Sequence, residues 1–320
     1  MLPNPLPVVL GHEGAGTVRE VGANVRSVAV GDRVVLSWLG QCRRCRFCVN
    51  GQPTLCEVAS AAMGRGTMLD GSTRFREGSE SVYHMAGLGT FSRFSVVPED
   101  CATKIPDHLD FDKAALLGCG VLTGFGAVVN TAQVRVGESV AVIGCGGVGL
   151  NAVQGARLSG ASTIIAIDRN EERLQLAVDL GATHTLLADD AVAKSVRSMT
   201  GGLGVDVSLE VVGRQETIES AVAMTRRGGR IILVGAGPKS VVVNVPAFSG
   251  IVVAGKSIHG SFYGSSDIKR DIPKLIALYE TGLLKLDELV TQRFDFVDSE
   301  AALAYCQDER GARAVVMMVG

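Results

Sequence analysis

Four cysteines crowd the stretch CRRCRFCVNGQPTLC. Cys42, Cys45, Cys48 and Cys56 stand at C-x2-C-x2-C-x7-C. Four thiolates at such short intervals can close a tetrahedron around zinc, and a site filled by four protein ligands leaves no open position, so its role is structural. A ferredoxin-type iron–sulfur run begins in the same way but ends on an x3 spacing followed by proline, which favours zinc here. Arginines at 43, 44 and 46 interleave the ligands, so a nucleic-acid zinc ribbon is the competing reading. Ribbons of that kind pair two separated C-x2-C knuckles, and the overall charge lends no support. A second candidate lies near the chain start, where VVLGHEGAGTV sets His12 beside Glu13 between glycines. The pair reads either as a metal-ligating imidazole with a carboxylate at its shoulder or as a solvated turn.

A third stretch, VAVIGCGGVGL, supplies Gly144, Gly146 and Gly149 in G-x-G-x-x-G spacing, with Gly147 and Val148 inside the same loop. It follows an apolar run and opens a helical pattern, and Asp168 closes the next apolar run, IIAID. That context makes the loop a dinucleotide fingerprint. Gly144 permits a tight turn, Gly146 lets backbone approach a pyrophosphate at the helix N-terminus, and Gly149 lets the helix pack on the sheet. A carboxylate at Asp168 accepts from the adenosine ribose hydroxyls and repels a 2′-phosphate, which favours NAD; Arg169, directly after it, keeps NADP open.

These residues need a scaffold, and the rest of the chain describes one. Its 320 residues allow two domains. Net charge is −2, so no electrostatic footprint for nucleic acid or an anionic membrane exists. Hydrophobic content is 47%, aromatics only 5%, and there are 40 glycines, the composition of an aliphatic α/β protein with many tight turns. No apolar run spans a bilayer and the start lacks the pattern of a secretory signal, so a reduced, cytoplasmic protein is expected. Over the first hundred residues AGTVREVG, DRVVLSW and FSRFSVV predict short strands, with no clear helix. A helical region is expected over 112–129. Strands at 139–143, 163–168, 183–187, 205–211, 230–234 and 256–260 then alternate with helices at 148–159, 171–180, 192–199 and 216–225. Six such strands fit a doubly wound parallel sheet covered on both faces. The tail, a helix ending at Gly282, the short helix SEAALAYC and the strand RAVVMMV, does not extend the alternation and is expected to return to the first domain. Cys101, Cys145 and Cys306 read as small buried hydrophobes, and His84, His108, His184 and His259 as surface or satisfied core residues.

LLGCGVLTGFGA adds Cys119 ahead of the nucleotide unit. The ordered set GHEGAG, the four-cysteine lobe, GCG and GCGGVG resembles the zinc-dependent medium-chain alcohol dehydrogenases from about residue 5 to the end. RGTMLDGSTRF and GTFSRFSVVPED narrow the resemblance to the branch holding the animal-type and glutathione-dependent formaldehyde dehydrogenases. The resemblance implies a six-stranded Rossmann domain inserted in a mainly-β GroES-like catalytic domain: 1–120 catalytic, 121–262 NAD-binding, 263–320 catalytic again. It implies that His12 and Cys119 are ligands of a catalytic zinc, with Glu13 the acid behind it that can approach during ligand exchange. Trp38, Met85 and Ala86 would line the substrate pocket, and Thr123 and Val148 would pack on the nicotinamide. Arg173 would lie near the adenosine and Arg313 would reach the pyrophosphate. Stretch 243–264 would serve a homodimer or homotetramer. The implied chemistry is hydride transfer between an alcohol and NAD, with zinc as Lewis acid.

Two positions depart from that family pattern. The family places a first catalytic-zinc cysteine about twenty residues before the GHE histidine, followed by a proton-relaying hydroxyl. The eleven residues before His12 hold no Cys, His, Asp, Glu, Ser or Thr. The expectation is a polypeptide lacking its N-terminal segment, a start-site or processing matter, with sheet edges left unpaired. The glutathione-dependent branch uses Arg four residues after the last lobe cysteine; Ser60 stands there instead, which favours an ordinary alcohol or aldehyde over a glutathione adduct. The alternatives are an S-(hydroxymethyl)thiol dehydrogenase and a non-catalytic protein that binds NAD and zinc.

Overall fold

The computed structural model describes residues 5–307 and 311–318. The chain forms two compact units, one of residues 123–265 with 311–313, the other of 5–122, 266–307 and 314–318. Val319, the last residue of the expected terminal strand, lies outside the described residues.

The first unit is built on six parallel strands: β1 (Ser139–Ile143), β2 (Thr163–Asp168), β3 (His184–Leu187), β4 (Val205–Glu210), β5 (Thr225–Leu233) and β6 (Ser257–Gly260). Their spatial order is β6-β5-β4-β1-β2-β3. This is the doubly wound arrangement expected from six apolar strands, with its reversal of order between β1 and β4. Helices α1 (Gly149–Leu158), α2 (Glu171–Asp179), α3 (Val192–Met199) and α4 (Gln215–Met224) fill the crossovers. Ala141, Ile143, Ile165, Ile167, Val205 and Ile231 from the sheet pack with Val192, Val196, Ala221 and Met224 from the helices in one buried cluster. Burying each large aliphatic side chain contributes about 1.5–3 kcal/mol, which is why the β-branched runs settle as central strands.

Element limits follow the sequence closely, with one informative exception. The fifth strand starts at Thr225, not 230, because Thr225 pairs with Val205 ahead of a register irregularity between Val205 and Val207. Thr225 therefore ends a helix and begins a strand.

The second unit is built from several small sheets. Glu13–Thr17, Arg33–Ser37 and Ala102–Lys104 form an antiparallel sheet; Val8–Val9 and Phe75–Glu77 flank Glu80–His84 in a mixed sheet, the first parallel to it and the second antiparallel; and Val290–Asp295 pairs with Arg313–Met317. Helix Ile268–Glu280 ends before Gly282, whose φ of 71° is the left-handed geometry expected of a C-terminal glycine.

Three expectations need correction here. FSRFSVV forms no strand: the Ser92 and Ser95 hydroxyls both donate to the Gly89 carbonyl, folding the segment on itself. The first hundred residues do hold a helix, Glu57–Arg65, whose alanines carry no strong periodicity and which ends on left-handed Gly66. Cys306 is exposed, because Ser299–Gln307 buries only Ala302. The helical region over 112–129 appears as Phe111–Leu116 and Gly120–Gly126, continuing into a wide turn at Ala127–Ala132. The break comes at Gly118, where a side chain would run into the Leu36 carbonyl oxygen.

Candidate functional site

The four lobe cysteines come together. Their sulfurs all lie within 4.8 Å of one another, a donor set of the spacing and softness that zinc takes as a tetrahedron. Local structure gathers them. Cys45 precedes helical turn Arg46–Val49 and Cys56 precedes Glu57–Arg65. The Cys45 amide donates to Cys42 Sγ at 3.4 Å and the Cys42 amide to Cys56 Sγ at 3.5 Å. Backbone amides of Cys48 and Glu57 hold the Cys45 thiol down to about 6, while burial pushes Cys48 up to about 12 and raises Cys56. Crowded thiols cannot all ionise without a compensating cation, so the cluster fits a bound zinc. The lobe is anchored within its own unit. Arg43, in left-handed conformation at φ 60°, makes a bidentate ion pair with Asp267 at 2.8 and 2.9 Å, and Gln41 Nε2 donates to the Ser266 carbonyl.

Among the described residues, no other set of three or more His, Cys, Asp or Glu gathers as this one does. His12 and Cys119 are nevertheless joined through their neighbours. Glu13 Oε1 accepts from the Gly120 amide at 2.7 Å, tying the strand that follows His12 to the turn that carries Cys119 across 107 residues. The His12 ring meets Trp38 edge-on, with centroids 6.2 Å apart. One imidazole and one thiol are donors that suit zinc. The Glu13 oxygen is meanwhile engaged by backbone. Trp38 and Ala86 line a small apolar recess with Ala62, Met63 and Met68; Met85 instead turns its sulfur to the Gly11 amide at 3.3 Å.

In the other unit the glycine loop has the conformation its spacing implies. Gly144 sits at φ 94°, and a side chain on Gly149 would overlap the Gly144 carbonyl oxygen. Around Gly146 nothing lies within 4 Å of where a Cβ would be. Packing therefore does not require that glycine, and the space it leaves suits a ligand. A side chain on Gly147 would run into the Arg313 guanidinium, so Arg313 lies across the loop. The buried Asn151 amide holds the Gly147 carbonyl at 2.7 Å. Asp168 is buried and accepts from Cys145 N at 2.6 Å and Asn170 N at 2.9 Å, which leaves its carboxylate further lone pairs for ribose hydroxyls. Arg173 Nε donates to the Gly311 carbonyl at 3.0 Å. Thr123 is next to Gly124, where a Cβ would overlap the Val148 carbonyl oxygen, so the two backbone segments lie against each other. Neither Asn151 nor the Glu13–Gly120 bond was legible in the sequence: Asn151 sits in an apolar helix pattern, and the bond joins distant segments.

The comparisons with known proteins agree with this layout. The family described as alcohol dehydrogenase GroES-like domain matches residues 2–107, and that described as zinc-binding dehydrogenase matches 147–281. S-(hydroxymethyl)glutathione dehydrogenase of Synechocystis sp. is 38% identical over 314 residues, 97% of this chain and 84% of that protein. Among solved structures, an alcohol dehydrogenase zinc-binding domain protein from Burkholderia ambifaria superposes with a TM-score of 0.92 at 34% identity, covering 99% of this chain and 85% of that one. Benzyl alcohol dehydrogenase from Acinetobacter calcoaceticus does so with a TM-score of 0.90 at 32% identity, covering 99% and 86%. The chain belongs to the zinc-dependent medium-chain alcohol dehydrogenases, oxidoreductases that use zinc and NAD. No helix among the described residues is long and apolar enough to cross a membrane.

Proposed function

We propose that this chain interconverts an ordinary primary or secondary alcohol and its carbonyl compound, with NAD as the hydride partner. The observation that carries the reading is the 2.7 Å bond from the Gly120 amide to Glu13, which holds the segments bearing His12 and Cys119 at one place. His12 and Cys119 would hold a catalytic zinc, and Cys42, Cys45, Cys48 and Cys56 a structural one. Zinc, when bound, supplies Lewis acidity toward the alcohol oxygen, and NAD accepts the hydride.

The chain's own residues do the rest. Asp168 orients the adenosine ribose and disfavours a 2′-phosphate. Amides of the glycine loop and Arg313 neutralise the pyrophosphate. Thr123 and Val148 support the nicotinamide, and Glu13 steadies the turn that carries Cys119. Exposed Ser60, in place of the arginine of the glutathione-dependent branch, and the apolar recess at Trp38 favour an uncharged substrate. Phe248 and Val252, 73% and 66% exposed within stretch 243–264, support self-association there as a homodimer or homotetramer.

The test is NADH formation with simple alcohols, alongside formaldehyde with glutathione, and zinc analysis of the same preparation. Turnover of alcohols without thiol and two zincs per chain are expected. NADH only with both formaldehyde and glutathione would establish the thiol-adduct reaction instead. One zinc and no turnover would establish the non-catalytic alternative.

A further inference from the structure

The most organised polar feature that the proposed chemistry leaves unused is Glu210, at the end of β4. It is 1% exposed, yet its Oε1 accepts three hydrogen bonds: from Val212 N at 2.9 Å, Gly213 N at 2.7 Å and Thr217 Oγ1 at 2.7 Å. Its own carbonyl accepts from the amides of Val234 and Gly235. One residue thus organises two loops, 211–214 after β4 and 234–237 after β5. The loops are in backbone contact: a Cβ on Gly213 would lie 2.5 Å from Gly237 N, and one on Gly235 would overlap Gly213 N.

The place of this network in the sheet gives it a consequence. Glu210 is the register partner of Ile143, the residue before Gly144, and β1 and β4 flank the reversal of strand order. Ligands of doubly wound sheets bind outside the strand ends at that reversal. Val212, turned by the Glu210 bonds, presses its Cγ2 to 2.7 Å from where a Cβ on Gly144 would stand. Its side chain remains 37% exposed. Asp168 lies on the other side of the loop, at the end of β2, itself paired with β1. Val212 and Asp168 therefore flank the glycine loop, one apolar and one acidic.

We infer that Glu210 is a positioning residue for the dinucleotide: its buried carboxylate folds the 211–214 turn so that Val212 forms an apolar wall beside the glycine loop. The inference rests on the reading that the chain binds NAD. Without the acceptor, the Val212 and Gly213 amides and the Thr217 hydroxyl lose a shared partner and the turn opens.

Calorimetric titration of the purified full chain with NAD and with ADP-ribose tests it, with apo-protein melting measured alongside. Glu210→Ala is expected to weaken both ligands by about tenfold. Glu210→Gln keeps an acceptor oxygen and is expected to stay near wild type. Val212→Gly removes the wall without touching the buried network. It should weaken both ligands while the melting temperature stays close to wild type, and it decides the matter if Glu210→Ala does not fold. Wild-type affinity in Val212→Gly, or in a folded Glu210→Ala, overturns the inference. Equal losses in Glu210→Ala and Glu210→Gln also overturn it, because charge and not acceptor geometry would then be at work. A wild-type chain that binds neither NAD nor ADP-ribose overturns the NAD reading instead.

Discussion

The two groups of candidate zinc ligands are assembled in opposite ways. The four lobe cysteines come from one short stretch, and local turns, N–H···S bonds and the Arg43–Asp267 pair bring their sulfurs within 4.8 Å. His12 and Cys119 come from segments about a hundred residues apart, and the link between them is a carboxylate–amide bond from neighbouring residues. A site whose ligands are near in sequence closes at small entropic expense and can leave no open position; one built from distant segments depends on the surrounding fold. The difference matches the two tasks we propose for them, a staple for a loop and a reaction centre.

That contrast can be broken in an ordered series. The largest effect is expected for His12→Ala: alcohol-dependent NADH formation should fall by at least ~100-fold while one zinc per chain and the melting temperature are retained. If activity persists, His12 is not part of the reaction centre. Cys56→Ser attacks the lobe, since Cys56 is its buried member. Loss of one zinc and a fall in melting temperature of about 10 °C are expected, measured by metal analysis and calorimetry. An unchanged zinc count would remove the lobe's structural assignment. Asp168→Ala should weaken NAD by about tenfold, with both metal groups intact. Equal affinity would place the ribose elsewhere.

The smallest effect concerns pH. His84 is buried, its Nε2 accepting from the Arg74 amide at 3.1 Å, so Nδ1 carries the proton toward the Leu88 carbonyl. Burial holds it below its ordinary value of 6.5. The folded state therefore favours the neutral ring. Its contribution is full above about pH 6.5 and is lost as pH falls below that and through the lower folded value. Between pH 7.5 and 5.5 the wild type should lose more melting temperature than His84→Asn. Thiolate protonation at the lobe is common to both proteins, so the difference isolates His84; equal losses would remove the role.

Much of this was legible in the residues. The spacing of Gly144, Gly146 and Gly149, with Asp168 after the next strand, already described the dinucleotide loop, because Gly144 and Gly149 each answer a local backbone need and Gly146 leaves room for a ligand. The helix at 57–65 was not legible, since alanine-rich turns show no period, and neither was the collapse of FSRFSVV, where hydroxyls compete with sheet pairing.

By itself the sequence determined the order of the β-strands and helices of the nucleotide unit and the four-thiol lobe, because hydrophobic periodicity and ligand spacing are local properties. Only the tertiary structure decided that the Glu13 carboxylate is taken by the Gly120 amide, that Gly146 opens on free space, and that Glu210 folds the turn beside Gly144. Each depends on which distant backbone groups meet a side chain, and a linear pattern carries no record of that.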